Sequence, residues 1–279
     1  MLPTTIDFRI TSECNMCCPF CFGTKEQERV EISAQIDFLR KFRTLGVKNI
    51  VFTGGEPACF PEFSRVLRLI HSLGYRIALS TNGSCWENKE IRDAIVECVS
   101  YISFPIESTD REVHNSLRTG IPNHFEKVYR ILQDISCSKP SIHVKICTVV
   151  TKTNIESLAG ILDVLPLEPD IWKLYQLSSC DFNRCFYNTQ RITNDQFKDC
   201  ITELQRIYKT RSTKIVSGYE FDRDRKYLFL EPNGSLKTII NNQETRIGHI
   251  SDREDRLCSQ IESMVDYNRI NTNFCNSFS

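Results

Sequence analysis

Four cysteines fall within eight residues, at Cys14, Cys17, Cys18 and Cys21, in a chain of 279 residues that carries fourteen. Cysteine thiolates are soft ligands for iron and zinc. Three of them in one tight loop would serve three irons of a four-iron cluster and leave the fourth without a protein ligand. An open position marks a catalytic metal site rather than a closed structural one. That iron could bind a small molecule and pass it an electron. A Cys14–Cys17 pair would instead make half a zinc site, but no second Cys-x2-Cys or His pair stands at zinc-finger distance. Cys17 is therefore expected not to be a ligand. The remaining ten cysteines are scattered, as small buried hydrophobes are.

Two further segments carry chemistry. In Thr53-Gly54-Gly55-Glu56-Pro57 the glycines let backbone approach a ligand closely, and Glu56 can accept hydrogen bonds from an ammonium group. Ser80-Thr81-Asn82-Gly83 ends in a common turn dipeptide.

These groups need a frame. Strand-like segments at 5–10, 50–53, 76–80, 99–104, 142–150 and 171–176 alternate with helical spacing near 33–45, 61–73, 89–97, 124–134, 154–164 and 194–209. Six strands alternating with helices predict a parallel α/β sheet with right-handed crossovers. The motifs then stand at strand C-terminal ends, where such folds build their pockets. Ser33 is expected to start the first helix, Gly46 to follow its end, and Asn154 to cap the fifth. After about residue 212 the rhythm changes. Short strands at 213–216, 227–230 and 236–240, a turn at Pro232-Asn233-Gly234 and a helix at 253–267 predict a small β-containing extension.

Lys plus Arg and Asp plus Glu both number 35, so no overall field favours a nucleic acid polymer or a membrane surface. No basic segment leads into an apolar run at the N-terminus, and no stretch approaches 18 consecutive apolar residues. The expectation is a soluble, cytoplasmic protein, where clustered cysteines point to metal or catalysis rather than disulfides.

Cys14, Cys18 and Cys21 match the Cys-x3-Cys-x2-Cys pattern of the radical S-adenosylmethionine (SAM) superfamily, and the sequence resembles that family over roughly residues 5–210. The resemblance implies a partial (β/α)6 TIM-like barrel over residues 1–210, with the extension at 211–279 closing the barrel mouth. It implies one 4Fe–4S cluster, S-adenosylmethionine bound at the open iron, and reductive cleavage to a 5′-deoxyadenosyl radical that abstracts hydrogen from a substrate. It assigns Phe20 to the adenine ring and Gly54, Gly55 and Glu56 to the methionine end. Ser80 and Asn82 would line the cofactor pocket, and Ser103 and Glu107 would reach the ribose or methionine. A reducing electron donor such as flavodoxin or ferredoxin is implied as a partner.

Within the superfamily the chain resembles the viperin-like nucleotide-modifying enzymes. Cys21-Phe22 followed by Gly-Thr-Lys, Asn123-His124 with Glu126, Val144-Lys145-Ile146, Trp172-Lys173-Leu-Tyr-Gln176 and Tyr227-Leu228 carry that likeness. It implies a nucleotide substrate, with Lys145 and Lys173 on adjacent strands holding its anion, Arg118 adding a bidentate phosphate contact, and Tyr227 near the nucleotide, as a late hydrogen donor or packed near the base. The segment from Lys237 to Gly248 departs from the family's basic phosphate loop, with only Lys237 and Arg246 as cations. A radical enzyme acting on a peptide or other metabolite is the alternative. Cys180, Cys185, Cys200, Cys258 and Cys275 lack the compact spacing of an auxiliary-cluster extension. An inactive iron–sulfur binding protein is the alternative outside enzymes.

Overall fold

The computed structural model describes residues 2–23, 26–138, 140–266 and 268. Thr24, Lys25, Tyr267 and Cys275, all invoked above, lie outside the described residues.

The chain runs β1 (Thr5–Thr11), α1 (Ile32–Thr44), β2 (Asn49–Gly54), α2 (Phe63–Ser72), β3 (Arg76–Ser80), α3 (Lys89–Cys98) and β4 (Tyr101–Pro105). It continues through α4 (Arg111–Leu117), α5 (His124–Ser138), β5 (His143–Val150), α6 (Ile161–Val164), β6 (Ile171–Gln176), α7 (Arg184–Gln190), α8 (Asn194–Ile207) and β7 (Lys214–Gly218). Last come β8 (Phe229–Leu230), β9 (Ser235–Ile240), β10 (Gln243–His249) and α9 (Glu254–Met264). Among the described residues the ten strands form one sheet, ordered β10-β9-β8-β1-β2-β3-β4-β5-β6-β7. The run from β8 through β1 to β7 is parallel, and β9 and β10 add an antiparallel hairpin. Among the described residues β7 does not pair with β10, so the barrel stays partial.

Alternation along the strands explains both layers. Ile6, Phe8, Ile50, Phe52, Ile77, Leu79, Ile102, Phe104, Val144, Ile146, Trp172 and Leu174 are buried in the core shared with the helices. Their neighbours Asp7, Arg9, Thr53, Ser80, Ser103, Lys145 and Lys173 face the opposite side and line a central cavity. The helices meet this core with one apolar stripe each. In α2 the buried residues Phe63, Val66, Leu67 and Ile70 fall at helical spacing. Side-chain caps fix several starts: Asn88 for α3, Asp110 for α4, and a Thr193–Gln196 capping box for α8.

Several local expectations are corrected. Glu31, not Ser33, precedes α1, and no side chain caps it. Gly46 does follow the helix, at φ 103°. The fifth predicted helix is two short pieces, a 3-10 turn at Ile155–Ser157 and then α6, because Gly160 enters the left-handed region between them. Asn154 stands at the N-cap position of the 3-10 turn, but its side chain makes no capping hydrogen bond. Its buried amide instead holds the end of β5, donating to the carbonyls of Glu107 and Val149 while its oxygen accepts from Thr151. The strand expected at 213–216 in the extension is β7, a parallel partner of β6.

Candidate active site

Directly after β1 the chain turns through the cysteine loop. Cys14 and Cys17 are exposed and Cys18 and Cys21 half-buried, all as free thiols. The backbone N–H of Met16 donates to Cys14 Sγ at 3.4 Å and that of Gly23 to Cys21 Sγ at 3.2 Å. Burial raises the Cys18 thiol against the pull of the Arg118 guanidinium. Cys17 is tied through its backbone to Thr119, whose carbonyl accepts its N–H and whose hydroxyl donates to its carbonyl.

The loop is seated by glycine. Gly55 N–H donates to the Thr11 carbonyl and Glu56 N–H to that of Glu13, both at 2.8 Å. A Cβ on Gly54 or Gly55 would sit well inside contact with the Thr11 or Glu13 carbonyl oxygen, and Gly54 also holds φ 127°. The close approach that requires these glycines is therefore to the chain's own backbone.

Glu56 is buried beneath them. It accepts from the Thr81 hydroxyl at 2.7 Å, the Asn82 N–H at 2.6 Å and the Ala58 N–H at 3.2 Å. Burial raises its pKa to about 7 despite those donors. Asn82 in turn donates to Asn15 at 2.8 Å, joining the turn after β3 to the cysteine loop.

A chain of imidazoles, absent from the expected site, supports the same turn. Glu107 N–H donates to His114 Nδ1 at 3.0 Å, so Nε2 carries the His114 proton and donates to His124 Nδ1 at 2.9 Å. His124 Nε2 then donates to the Asn82 carbonyl at 2.9 Å. Burial holds both rings neutral, lowering His114 to about 2 and His124 to about 4. His124 had been singled out by resemblance, but His114 carries no sequence signal beyond its type.

The cavity holds 340 Å³. Of the expected residues, Phe20, Gly54, Ser80, Ser103, Lys145, Lys173 and Tyr227 line it. Cys14, Cys18, Cys21, Gly55, Glu56 and Asn82 are not among its lining residues. Arg118 and Glu107 stand together. They pair with each other, with Arg118 Nη2 at 2.5 Å from Glu107 Oε1, while Glu107 Oε2 accepts from Val149 N–H at 2.8 Å. Neither lines the cavity. Arg118 lies 4.7 Å over the Phe20 ring, so it braces the cysteine loop.

Lys145 and Lys173 share the cavity with groups that sequence reasoning missed: Asp7, Arg9, Arg223 and Lys226. Burial, then Lys145 and Lys226, pull Lys173 down to about 7, while burial raises Asp7 to about 7 against three nearby cations. Arg9 is already neutralised, with Glu231 at 2.6 Å and Glu244 at 2.7 Å, and it lies 3.8 Å over Phe229. Lys237 lies 3.8 Å from Glu231 and 3.7 Å from Glu244, on the same carboxylates. Besides Arg9, the lining carries the cations Lys145, Lys173, Arg223 and Lys226 and the carboxylates Asp7 and Asp222. Phe20, Phe22, Tyr175, Tyr219, Tyr227 and Phe229 supply aromatic walls. The arrangement suits a ligand with a flat apolar part and an anionic arm.

The family model described as the Radical SAM superfamily matches residues 8–165. A protein of Fibrobacter sp. (strain UWH6) named S-adenosylmethionine-dependent nucleotide dehydratase is 24% identical over 259 residues, 83% of this chain and 76% of that protein. One of the same name from Flammeovirga pacifica is 29% identical over 256 residues, 86% and 82% of the two chains. In fold, the chain superposes on the crystal structure of Streptococcus suis SuiB bound to S-adenosylmethionine with a TM-score of 0.75 at 14% identity, covering 98% of this chain and 68% of that one.

Proposed function

From the premise that the chain belongs to the Radical SAM superfamily, we propose that it is a nucleotide-modifying member, a dehydratase-type lyase acting on the ribose of a nucleoside phosphate. The observation that carries the substrate class is the cavity's cation excess beside aromatic walls. The two relatives named nucleotide dehydratases support it.

The donor set fits a 4Fe–4S cluster. Three thiols on one short loop, two of them accepting backbone N–H groups at sulfur, give three soft ligands and leave a fourth position for S-adenosylmethionine. Cys14, Cys18 and Cys21 would hold the cluster, and Phe20, Gly54, Gly55, Glu56, Ser80, Asn82 and Ser103 would hold S-adenosylmethionine. When bound, the pair supplies a one-electron cleavage that starts hydrogen abstraction. The chain's own residues do the rest. Lys145 and Lys173 hold the anionic arm, Tyr227, stacked on Phe229 at 5.3 Å, walls the sugar, and the segment from Tyr219 to Phe229 limits water. A reduced flavodoxin or ferredoxin in the cytoplasm would supply the electron. No helix among the described residues is long and apolar enough to cross a membrane.

The test is anaerobic: reconstitute and reduce the cluster, add S-adenosylmethionine, and quantify 5′-deoxyadenosine with each ribonucleoside triphosphate. Strong stimulation by one nucleotide is expected, with Cys18→Ala inactive and Cys17→Ala active. Slow turnover indifferent to every nucleotide would overturn the substrate class, and full activity of Cys18→Ala would overturn the cluster ligands.

A further inference from the structure

Arg223 ends a short 3-10 turn, Phe221–Arg223, on the connection between β7 and β8. Its guanidinium carbon lies 3.6 Å over the ring of Phe22, the residue after Cys21, and both side chains line the cavity. Nη1 of Arg223 is sealed from solvent and has no hydrogen-bond partner. A buried charged donor without an acceptor is costly, so such a group belongs beside a missing acceptor. Stacking engages the face of a guanidinium and leaves its N–H edge free, which is the edge that grips a phosphate in bidentate fashion. The other arginine of the cavity, Arg9, already holds two carboxylates.

We propose that Arg223 is a substrate-binding residue whose edge grips the phosphate arm of the nucleotide, from the turn opposite in sequence to the strands that carry Lys145 and Lys173. This rests on the nucleotide reading above and extends it to a residue outside the barrel strands. The turn would then select for the length of the phosphate arm, because a nucleoside has nothing to offer Nη1.

Reconstituted enzyme with S-adenosylmethionine is titrated with ATP, GTP, CTP and UTP and with the corresponding nucleosides. Wild type, Arg223→Gln and Arg223→Lys are compared, with iron content and circular dichroism as checks of folding. The wild type is expected to bind one triphosphate far more tightly than its nucleoside. Arg223→Gln should lose about tenfold or more in affinity for that triphosphate and none for the nucleoside, and Arg223→Lys should recover part of the loss. Unchanged triphosphate affinity in Arg223→Gln would overturn the role of Arg223 alone, as would an equal loss for triphosphate and nucleoside. A wild type that binds no triphosphate would overturn the nucleotide reading and this inference with it.

Discussion

The guanidinium of Arg118 lies between Glu107, to which its Nε donates at 2.7 Å, and Cys18, whose Sγ is 3.8 Å from Nη1. One cation thus links the end of β4 to the middle cysteine of the loop. Arg118→Ala leaves Glu107, fully buried, without a counter-charge. Breaking a buried pair by removing one partner costs about 3–5 kcal/mol. Urea denaturation should show a loss of that order, and the variant should retain less iron after reconstitution. A loss under about 1 kcal/mol, the scale of exposed ion pairs, would refute the bracing role.

Gly55→Ala places a methyl group against the Glu13 carbonyl oxygen. The clash involves backbone on both sides, so it cannot be relieved by a rotamer change. The variant should fold, because the site lies at the rim of the sheet, yet bind S-adenosylmethionine more weakly. Equilibrium dialysis against the cofactor measures this. Unaltered affinity would show that the cysteine loop and the Gly-Gly turn move independently.

Lys173→Met tests the cavity's electrostatics through pH. The folded state lowers Lys173 from 10.5 to about 7, chiefly by burial. Between those values the unfolded chain binds more protons, so the lysine penalises folding fully below pH 7, and the penalty fades as pH rises to 10.5. The methionine variant should therefore be more stable than wild type by a few kcal/mol near pH 6, net of the lost attraction to Asp7. The advantage should shrink towards pH 10. Its affinity for the anionic substrate should fall at the same time. A stability difference independent of pH would mean that Lys173 is solvated.

The paired imidazoles act with the same sign in the acid range. His114 and His124 are lowered to about 2 and about 4, so between pH 6.5 and 4 the unfolded state takes up protons that the folded state refuses. Stability should fall as pH drops through that window. His124→Asn should flatten the slope while loosening the turn at Asn82. An unchanged slope, followed by denaturation at several pH values, would place the protons elsewhere.

Short-range information carried much of this protein. The spacing of Cys14, Cys18 and Cys21 is a property of one loop. The alternation in segments such as Ile6-Asp7-Phe8-Arg9 fixes which face of each strand is apolar, whatever its partners are. Lys145 and Lys173 came from the resemblance to the viperin-like enzymes, and both line the cavity. What local pattern leaves open is the choice among partners far apart in sequence. Arg118 is a cation in a polar loop by sequence. Only the fold shows it turned to Glu107 and Cys18, the latter 100 residues away. Arg9 reads as an interruption of an apolar strand until β8 pairs beside β1 and brings Glu231 to it across 222 residues.

Sequence by itself thus determined the cysteine loop and the parallel α/β frame, because each depends on spacing along a few consecutive residues. Tertiary structure alone decided which carboxylates reach which cations. A buried charge is defined by what surrounds it, and Arg9 with its two carboxylates differs from Arg223 with its bare Nη1 only through long-range packing.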